Sequence, residues 1–355
     1  MPPAGLYLTW EERSNPFGMN TRSLGLVVRL GIAVWLMSIG IGAVRAPAQA
    51  QKPTAYSSFK PGAVWLGDDG LPIDCHGGNI IYVDSLKTFY WYGEHRGEPR
   101  GAACYSSNDL YNWKNEGVVL RKGTIDVFER PKVVYDAPRH RYVMWFHYDG
   151  NRYTVAELGV AISDKPTGPF VVQHHSRPNG HESRDIGLYM DPETQKAYLG
   201  YAADHVNRTI RMVELAGDYL STTAQDTDIE AHCEGPGILK QNGVYYLLTS
   251  GCSGWTPNPA TYYTASHIMG PYTRQGNPFI GDVGNNSFNS QPCYIFKIPG
   301  YKNAYLYMGD RWNGGGHADS QYVFLPITIT PAGKMELHWY SEWNLNLFTP
   351  EKTSR

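Results

Sequence analysis

The sequence predicts an all-β chain folded as a five-bladed β-propeller, and three observations carry that prediction. Its 26 Tyr, 10 Trp and 11 Phe stand beside 38 Gly and 24 Pro, a mixture that suits short strands and tight turns better than helices. From about residue 60 onward, apolar runs such as GNIIYV (78–83), RYVMWFHY (141–148) and GVYYLLTS (243–250) alternate with turn clusters, and no stretch carries a helical period. One phrase also recurs five times: a polar residue, an apolar strand, a turn and an aromatic-rich strand. Its copies open at His76, Glu129, Asp185, Glu234 and Gln291, at intervals of 53, 56, 49 and 57 residues. A repeat near ~50 residues is the spacing of four-stranded blades set around an axis.

Before the first copy the chain is of another kind. Arg22 and Arg29 accompany a 15-residue apolar run, Leu30 to Val44, and Ala48-Gln49-Ala50 supplies the small-x-small exit of a secretory signal. The run is short for a membrane span of ~20 residues, and a membrane anchor is the alternative. Residues 1–50 are expected to be an N-terminal extension and signal peptide, 51–62 a linker, 63–348 the propeller and 349–355 a tail. Secretion or a periplasmic location follows from that signal. The fifth copy and its closing strand use the chain up to LHWYSEWN (337–344), so no appended carbohydrate-binding module is expected, and a monomer is.

With 31 basic against 33 acidic side chains, the net charge of −2 offers no long-range attraction for nucleic acid or anionic lipid. A neutral ligand fits better. Cys75, Cys104, Cys233, Cys252 and Cys293 show no CxxC pair and no metal-ligand spacing, so they read as small packing residues, and neither a metal nor a cofactor is expected. NRT at Asn207 and NNS at Asn285 match the glycosylation pattern of a eukaryotic secretory pathway.

In a propeller the first strand of each blade lies closest to the axis, so the five opening residues are expected to converge at the mouth of the channel. Three of them, Glu129, Asp185 and Glu234, are acidic. Repulsion and desolvation make such a cluster costly, and altered proton affinity is the usual reason to keep one. Cleaving a glycosidic bond needs a carboxylic acid to protonate the departing oxygen and a second group on the opposite sugar face. Glu234 is the candidate acid, its proton affinity raised by Asp185 and by aromatic surroundings. The structural alternative pairs these carboxylates with Arg130, Arg184 or Arg311, merely fastening blades together.

These openings, with HGG (76–78), YYLLTSGCSGWTPNPA (245–260), FNSQ (288–291) and MGDRWN (308–313), resemble glycoside hydrolase family 43 and, more narrowly, its exo-β-1,3-galactanase branch. The resemblance runs over roughly residues 63–348 and implies a five-bladed propeller that hydrolyses glycosides with inversion. It assigns Glu234 as general acid, Asp185 as the carboxylate that tunes and orients it, Gln291 as the group that positions or activates water, and Glu129 as an acidic residue held against the substrate. Most of the family has an aspartate base where this chain has His76, and the galactanase branch shares that departure. A glutamine amide barely binds a proton near neutral pH, so its role is to orient water or to relay a proton through its tautomer. Two carboxylates compete for the role of base: Asp74, two residues before His76, with a turn role equally open, and Glu129, which has the better position.

Glu94, Trp255, Asn258, His76, Asp310 and Arg311 are the candidate substrate contacts. Trp255 follows the small residues SGCSG and precedes TPNPA, which lets an aromatic face approach the channel and stack on a sugar ring; a buried inter-blade role is the alternative. Asn258 is placed to satisfy a hydroxyl, and Glu94 and Asp310-Arg311 end strands with groups that can fork onto hydroxyls, Arg311 alternatively holding a carboxylate. His317 is a lone histidine that could bind water or an axial ion. The expected function is an inverting exo-β-1,3-galactanase. The alternatives are a related exo-glycosidase on arabinosyl or xylosyl units, and a noncatalytic glycan-binding propeller.

Overall fold

The computed structural model describes residues 55–204, 207, 209–229, 233–312 and 320–351. Among them, five antiparallel sheets follow one another in chain order. The first blade holds β1 (His76–Val83), β2 (Thr88–His95), β3 (Gly101–Ser107) and β4 (Lys114–Arg121), and the second β5 (Val127–Asp136), β6 (Arg141–Asp149), β7 (Glu157–Ser163) and β8 (Val171–Ser176). The third holds β9 (Ser183–Met190), β10 (Ala197–Ala203), β11 (Thr209–Leu215) and β12 (Thr222–Asp228), and the fourth β13 (Glu234–Gln241), β14 (Val244–Ser250), β15 (Thr261–Ala265) and β16 (Thr273–Gly276). The fifth adds to β18 (Gln291–Lys297), β19 (Tyr305–Arg311), β20 (Gln321–Ile329) and β21 (Met335–His338) a two-residue strand, β17 (Phe279–Ile280), parallel to β21. The first strands touch around the ring, β1 with β5 and β18, β9 with β5 and β13, and β13 with β18. The chain is the five-bladed β-propeller that its repeats predict.

A strand's side chains alternate between faces, and a blade is packed on both, so its middle strands are apolar throughout. On β6, Tyr142, Met144 and Phe146 pack toward the first blade, while Val143 and Trp145 pack toward the third. Five separate cores result, one in each gap between neighbouring blades. The gap between the fifth and first blades is the most aromatic, with Phe59, Trp91, Trp113, Phe324 and Trp343 buried together. Phe59 exchanges backbone hydrogen bonds of 2.7 and 3.0 Å with Trp343, and its ring stacks on that indole at 4.4 Å. Each such ring, fully buried, contributes roughly 1.5–3 kcal/mol. The stretch expected as a linker at 51–62 therefore includes, at Phe59, part of the seam that closes the ring. The C-terminal stretch is tied in as well, where Lys302 and Gly300 bond the backbone of Thr349 and Glu351.

One local device aims the opening residues. His76 pairs with Glu94, Glu129 with His147 and Glu234 with Ser250, and immediately afterwards the register slips. The next residue has positive φ in each case: 61° at Gly77, 54° at Arg130 and 63° at Gly235. Such a bulge re-aims the side chain before it. At Gly77 and Gly235 an added Cβ would lie 2.6 Å from Glu94 Oε1 and 2.5 Å from Pro292 O, so glycine is required twice over. Arg130 adopts the same backbone at a cost of about 1–2 kcal/mol, and its side chain is used at the axis.

Candidate active site

A cavity of about 300 Å³ opens at the end of the ring where the first strands begin. It gathers Glu94, Glu129, Asp185, Glu234, Trp255 and Gln291 from five different stretches of sequence, together with Arg96, Arg130, His147, Tyr153, Arg184, Asn207 and Trp312. Its size suits one or a few sugar units.

Glu234 is buried, with 9% of its surface exposed. Its Oε1 accepts from Gln291 Nε2 at 3.0 Å and its Oε2 from Asn207 Nδ2 at 2.8 Å. No lysine or arginine pairs with it among the described residues. Burial, and secondly the charge of Asp185, push its carboxyl up to about 8, against partial opposition from Arg130 and the two amide hydrogen bonds. Asp185 itself pairs with Arg130 at 2.9 Å. The structural alternative of the sequence is thus realised at one carboxylate only. Arg184 instead bonds Glu182 and Tyr153 O.

Arg130 is the hub of the cluster. Its guanidinium reaches Asp185, Gln291 Oε1 at 2.5 Å and Pro292 O at 3.2 Å, while its backbone N–H donates to Glu94 Oε1 at 2.9 Å. Gln291 Oε1 also accepts from Trp312 Nε1 at 2.7 Å, and Gln291 Nε2 donates to Ser250 Oγ at 3.2 Å as well as to Glu234. Both lone pairs and both amide hydrogens are therefore used. In this arrangement Gln291 stands beside Glu234 and holds it, with no lone pair left to orient water. The water-positioning role expected of it is not met by this geometry.

Across the channel, on the second blade, Glu129 accepts from Tyr153 O–H at 2.8 Å and faces His147 Nδ1 at 3.2 Å. Asp149 lies 3.0 Å from the other imidazole nitrogen. Burial works against charge on His147, yet the hydrogen bonds to Asp149 and Glu129 prevail and raise it to about 9. Burial likewise works against the Glu129 carboxylate, but His147, Tyr153 and Arg96 outweigh it and hold the carboxyl below its ordinary value. One carboxyl of the cavity thus keeps its proton near neutrality and another gives it up.

Several sequence expectations are corrected here. His76 is fully buried, between Asp74 Oδ1 and Asp310 Oδ1 at 3.4 Å each, and faces no substrate. Asp74 is no base: its oxygens accept the backbone N–H groups of Arg96 and Gly97 and pair with His95, which makes it the anchor of a turn. Asp310 binds Gly77 N and His76 below the cavity. The Asn258 amide is spent on Gly251 and Ser253 of its own loop. Arg311 points away, to the carbonyls of Phe288 and Asn289 and over Trp339. Trp255 does line the cavity, with the Arg96 guanidinium over its ring at 5.0 Å and the Trp312 ring edge-on to it at 5.2 Å. Asn207 is buried against Glu234, so its glycosylation pattern is not a surface acceptor. All five cysteines are unbridged. His317 lies outside the described residues.

The comparisons agree with the geometry. The family model described as glycosyl hydrolases family 43 matches residues 74–292. The solved structure of a family 43 β-1,3-galactosidase is 38% identical, covers 82% of this chain and 64% of its own, and superposes with a TM-score of 0.77. The exo-β-1,3-galactanase of Phanerochaete chrysosporium, solved with galactose, is 33% identical over 83% of this chain and 71% of its own, with a TM-score of 0.75. The β-D-galactofuranosidase of Aspergillus niger is 28% identical over 65% of this chain and 75% of its own length. The chain belongs to family 43 of the glycosyl hydrolases, enzymes that act on O-glycosyl bonds.

Proposed function

We propose that the chain is an exported, inverting hydrolase that removes galactose from the non-reducing end of β-1,3-galactan chains, such as the backbone of arabinogalactan. The observation that carries the reading is the pairing, in one cavity, of a carboxyl raised to about 8 at Glu234 with a carboxylate held low at Glu129. Glu234 protonates the glycosidic oxygen as the bond to the anomeric carbon breaks, and the electron pair of that bond stays on the leaving sugar. Water attacks from the opposite face and loses a proton to Glu129, which stands on the second blade while Glu234 stands on the fourth. Gln291, on the blade next to the acid, holds Glu234 instead. Arg130 and Asp185 fix the rest of the cluster, and Trp255 offers one ring face to a sugar. The likeness to the galactosidase and galactanase structures supports galactose as the unit removed.

Product analysis on β-1,3-galactan tests the reading. Galactose alone is expected at early times, and proton NMR should find it first as the α-anomer. An initial β-anomer overturns inversion, and no released sugar together with retained binding returns the protein to the noncatalytic class. A second reading, removal of a furanosyl or pentosyl unit, is favoured by the galactofuranosidase relative. A panel of aryl galactopyranosides, galactofuranosides, arabinosides and xylosides separates the two. Export is tested by the N-terminal sequence of the protein recovered outside the cytoplasm, expected to begin near Gln51.

A further inference from the structure

Glu234 receives two amide hydrogen bonds, and they are not equivalent. The amide on Oε1 is that of Gln291, and its orientation is fixed, because its oxygen faces Arg130 Nη2 and Trp312 Nε1, two groups that can only donate. Gln291 therefore presents an N–H to Glu234 whatever the charge of the carboxyl. On Oε2 the donor is Asn207 Nδ2 at 2.8 Å. Asn207 is itself buried, and its Oδ1 meets no hydrogen-bond partner among the described residues. A buried carbonyl oxygen without a donor is costly, and the two ends of an amide are so alike in shape that a half-turn exchanges them without steric penalty.

A general acid presents its neighbour with two different partners in one turnover. As a neutral carboxyl its Oε2–H donates; as the carboxylate left behind, Oε2 only accepts. Asn207 has one group for each. We propose that Asn207 is the positioning residue of the acid, its amide turning over between the two states of Glu234. The orientation described, Nδ2 on Oε2, is the one that suits the carboxylate; for the neutral carboxyl with no sugar present, the half-turned amide sets Oδ1 to hold the Oε2–H. When the glycosidic oxygen arrives it replaces Oδ1 as acceptor, the amide turns, and Nδ2 donates to Oε2 as negative charge builds there. The proton passes to the leaving oxygen, which keeps the electron pair of the broken C–O bond, and water supplies the hydroxyl on the anomeric carbon. The inference rests on the reading of Glu234 as the acid. Among the described residues, the other charged or titratable groups bearing on Glu234 are Asp185, Arg130, Cys233 and Cys252, and substitution at 207 leaves all four in place.

The test compares wild type, Asn207→Leu and Asn207→Asp on two substrates: β-1,3-galactobiose, whose leaving alcohol needs a proton, and a nitrophenyl β-galactoside, whose leaving group hardly does. Asn207→Leu keeps the volume and removes both hydrogen-bonding ends. Its kcat on the disaccharide should fall by about ten- to a hundredfold, and on the aryl glycoside change by no more than about threefold. The alkaline limb of kcat/KM should move up by about half to one pH unit, because the charge-assisted bond lost to the carboxylate is stronger than the neutral one lost to the carboxyl. Asn207→Asp should move that limb further, having replaced the donor by a like charge. Should the leucine variant not fold, the aspartate variant decides on the same two readouts. Equal losses on both substrates with an unmoved limb overturn the proposal. Glu234→Gln, run alongside, separates the failures. Full disaccharide turnover by that variant, or none by the wild type on either substrate, overturns the acid reading and this inference with it. Loss in Glu234→Gln without the two signatures at 207 overturns only this inference.

Discussion

The first and fourth blades open with the same backbone and opposite chemistry. His76 and Glu234 each begin an inner strand, pair with the end of the second strand at Glu94 or Ser250, and precede a glycine of positive φ. Yet His76 is sealed between two carboxylates, which overcome its burial and raise it to about 9. Glu234 is given amides on both oxygens and a carboxylate, Asp185, at a distance. Where the fold supplies opposite charges it makes a clamp, here joining the first blade to Asp310 of the fifth. Where it buries a carboxyl beside a like charge, with Arg130 and amide dipoles only partly opposing, it makes a group that stays neutral near pH 7. The difference between a structural and a chemical opening lies in the neighbours, not in the scaffold.

The largest expected effect breaks the chemical side. Glu234→Gln should lower kcat on unactivated substrate by about 10²–10⁴, the usual worth of a positioned acid, while binding of galactan oligosaccharides persists in calorimetry. Breaking the structural side costs folding instead. His76→Ala leaves Asp74 and Asp310 buried without their shared cation, which should cost about 3–5 kcal/mol, read as a lowered denaturant midpoint at pH 7. Turnover per folded molecule should change far less than in Glu234→Gln. If His76→Ala loses kcat without losing stability, the clamp reading is wrong.

Much of this was legible in the sequence because propeller blades repeat. The five openings could be aligned, and alignment alone predicts that residues more than 200 positions apart meet at one mouth. The second half of each repeat held information of the same kind that sequence reading did not use. The residue paired with an opening is Glu94, His147, Ser250 or Asp310 by register, so His147 was as findable as Glu94. What spacing cannot give is which way a polar side chain faces once it reaches the axis. Asp74 and Asp310 turn below the cavity to meet His76, Asn258 folds back on its own loop, and Arg311 swings outward. Arg130 reads as a plain ion-pair partner until its left-handed backbone is seen to thread it between Asp185 and Gln291. The seam through Phe59 was missed because a single apolar residue in a polar stretch carries no period.

A pH series sharpens the comparison without mutation. With Glu234 as the proposed general acid, activity requires it protonated, so kcat/KM should hold to about pH 8 and fall about tenfold per unit beyond it. The same proton bears on stability. Between its ordinary value of 4.5 and about 8, folded Glu234 keeps a proton that the unfolded chain has lost, so stability declines as pH rises through that window. The His76 clamp contributes stability that is full below 6.5 and is lost as pH rises through about 9. Glu234→Gln should remove the first decline and leave the second. Melting curves at intervals from pH 5 to 10 should therefore show the variant gaining on wild type up to about pH 8 and then running parallel to it. A constant difference across the series would mean that Glu234 is not held neutral by the fold.

The smallest expected effect lies where the two blades meet. The Arg96 guanidinium rests 5.0 Å from the Trp255 ring and 4.9 Å from the Trp312 ring, and it pairs with Glu94 at 2.5 Å. The backbone beneath it is held by Asp74, which also meets His76. The clamp of the first blade thus steadies an arginine that in turn steadies the aromatic loop following the acid's partner strand on the fourth. A cation over an indole is worth about 0.5–2 kcal/mol. Arg96→Ala should accordingly raise KM on galacto-oligosaccharides about three- to tenfold, with kcat changed less, because Trp255 then samples positions in which its ring does not meet the sugar. Trp255→Ala should give a similar KM, and the double variant should be little worse than either single one, since both remove the same platform. Additive losses in the double variant would mean that Arg96 touches the sugar on its own account, and that the structural blade reaches further into the chemistry than its buried histidine suggests.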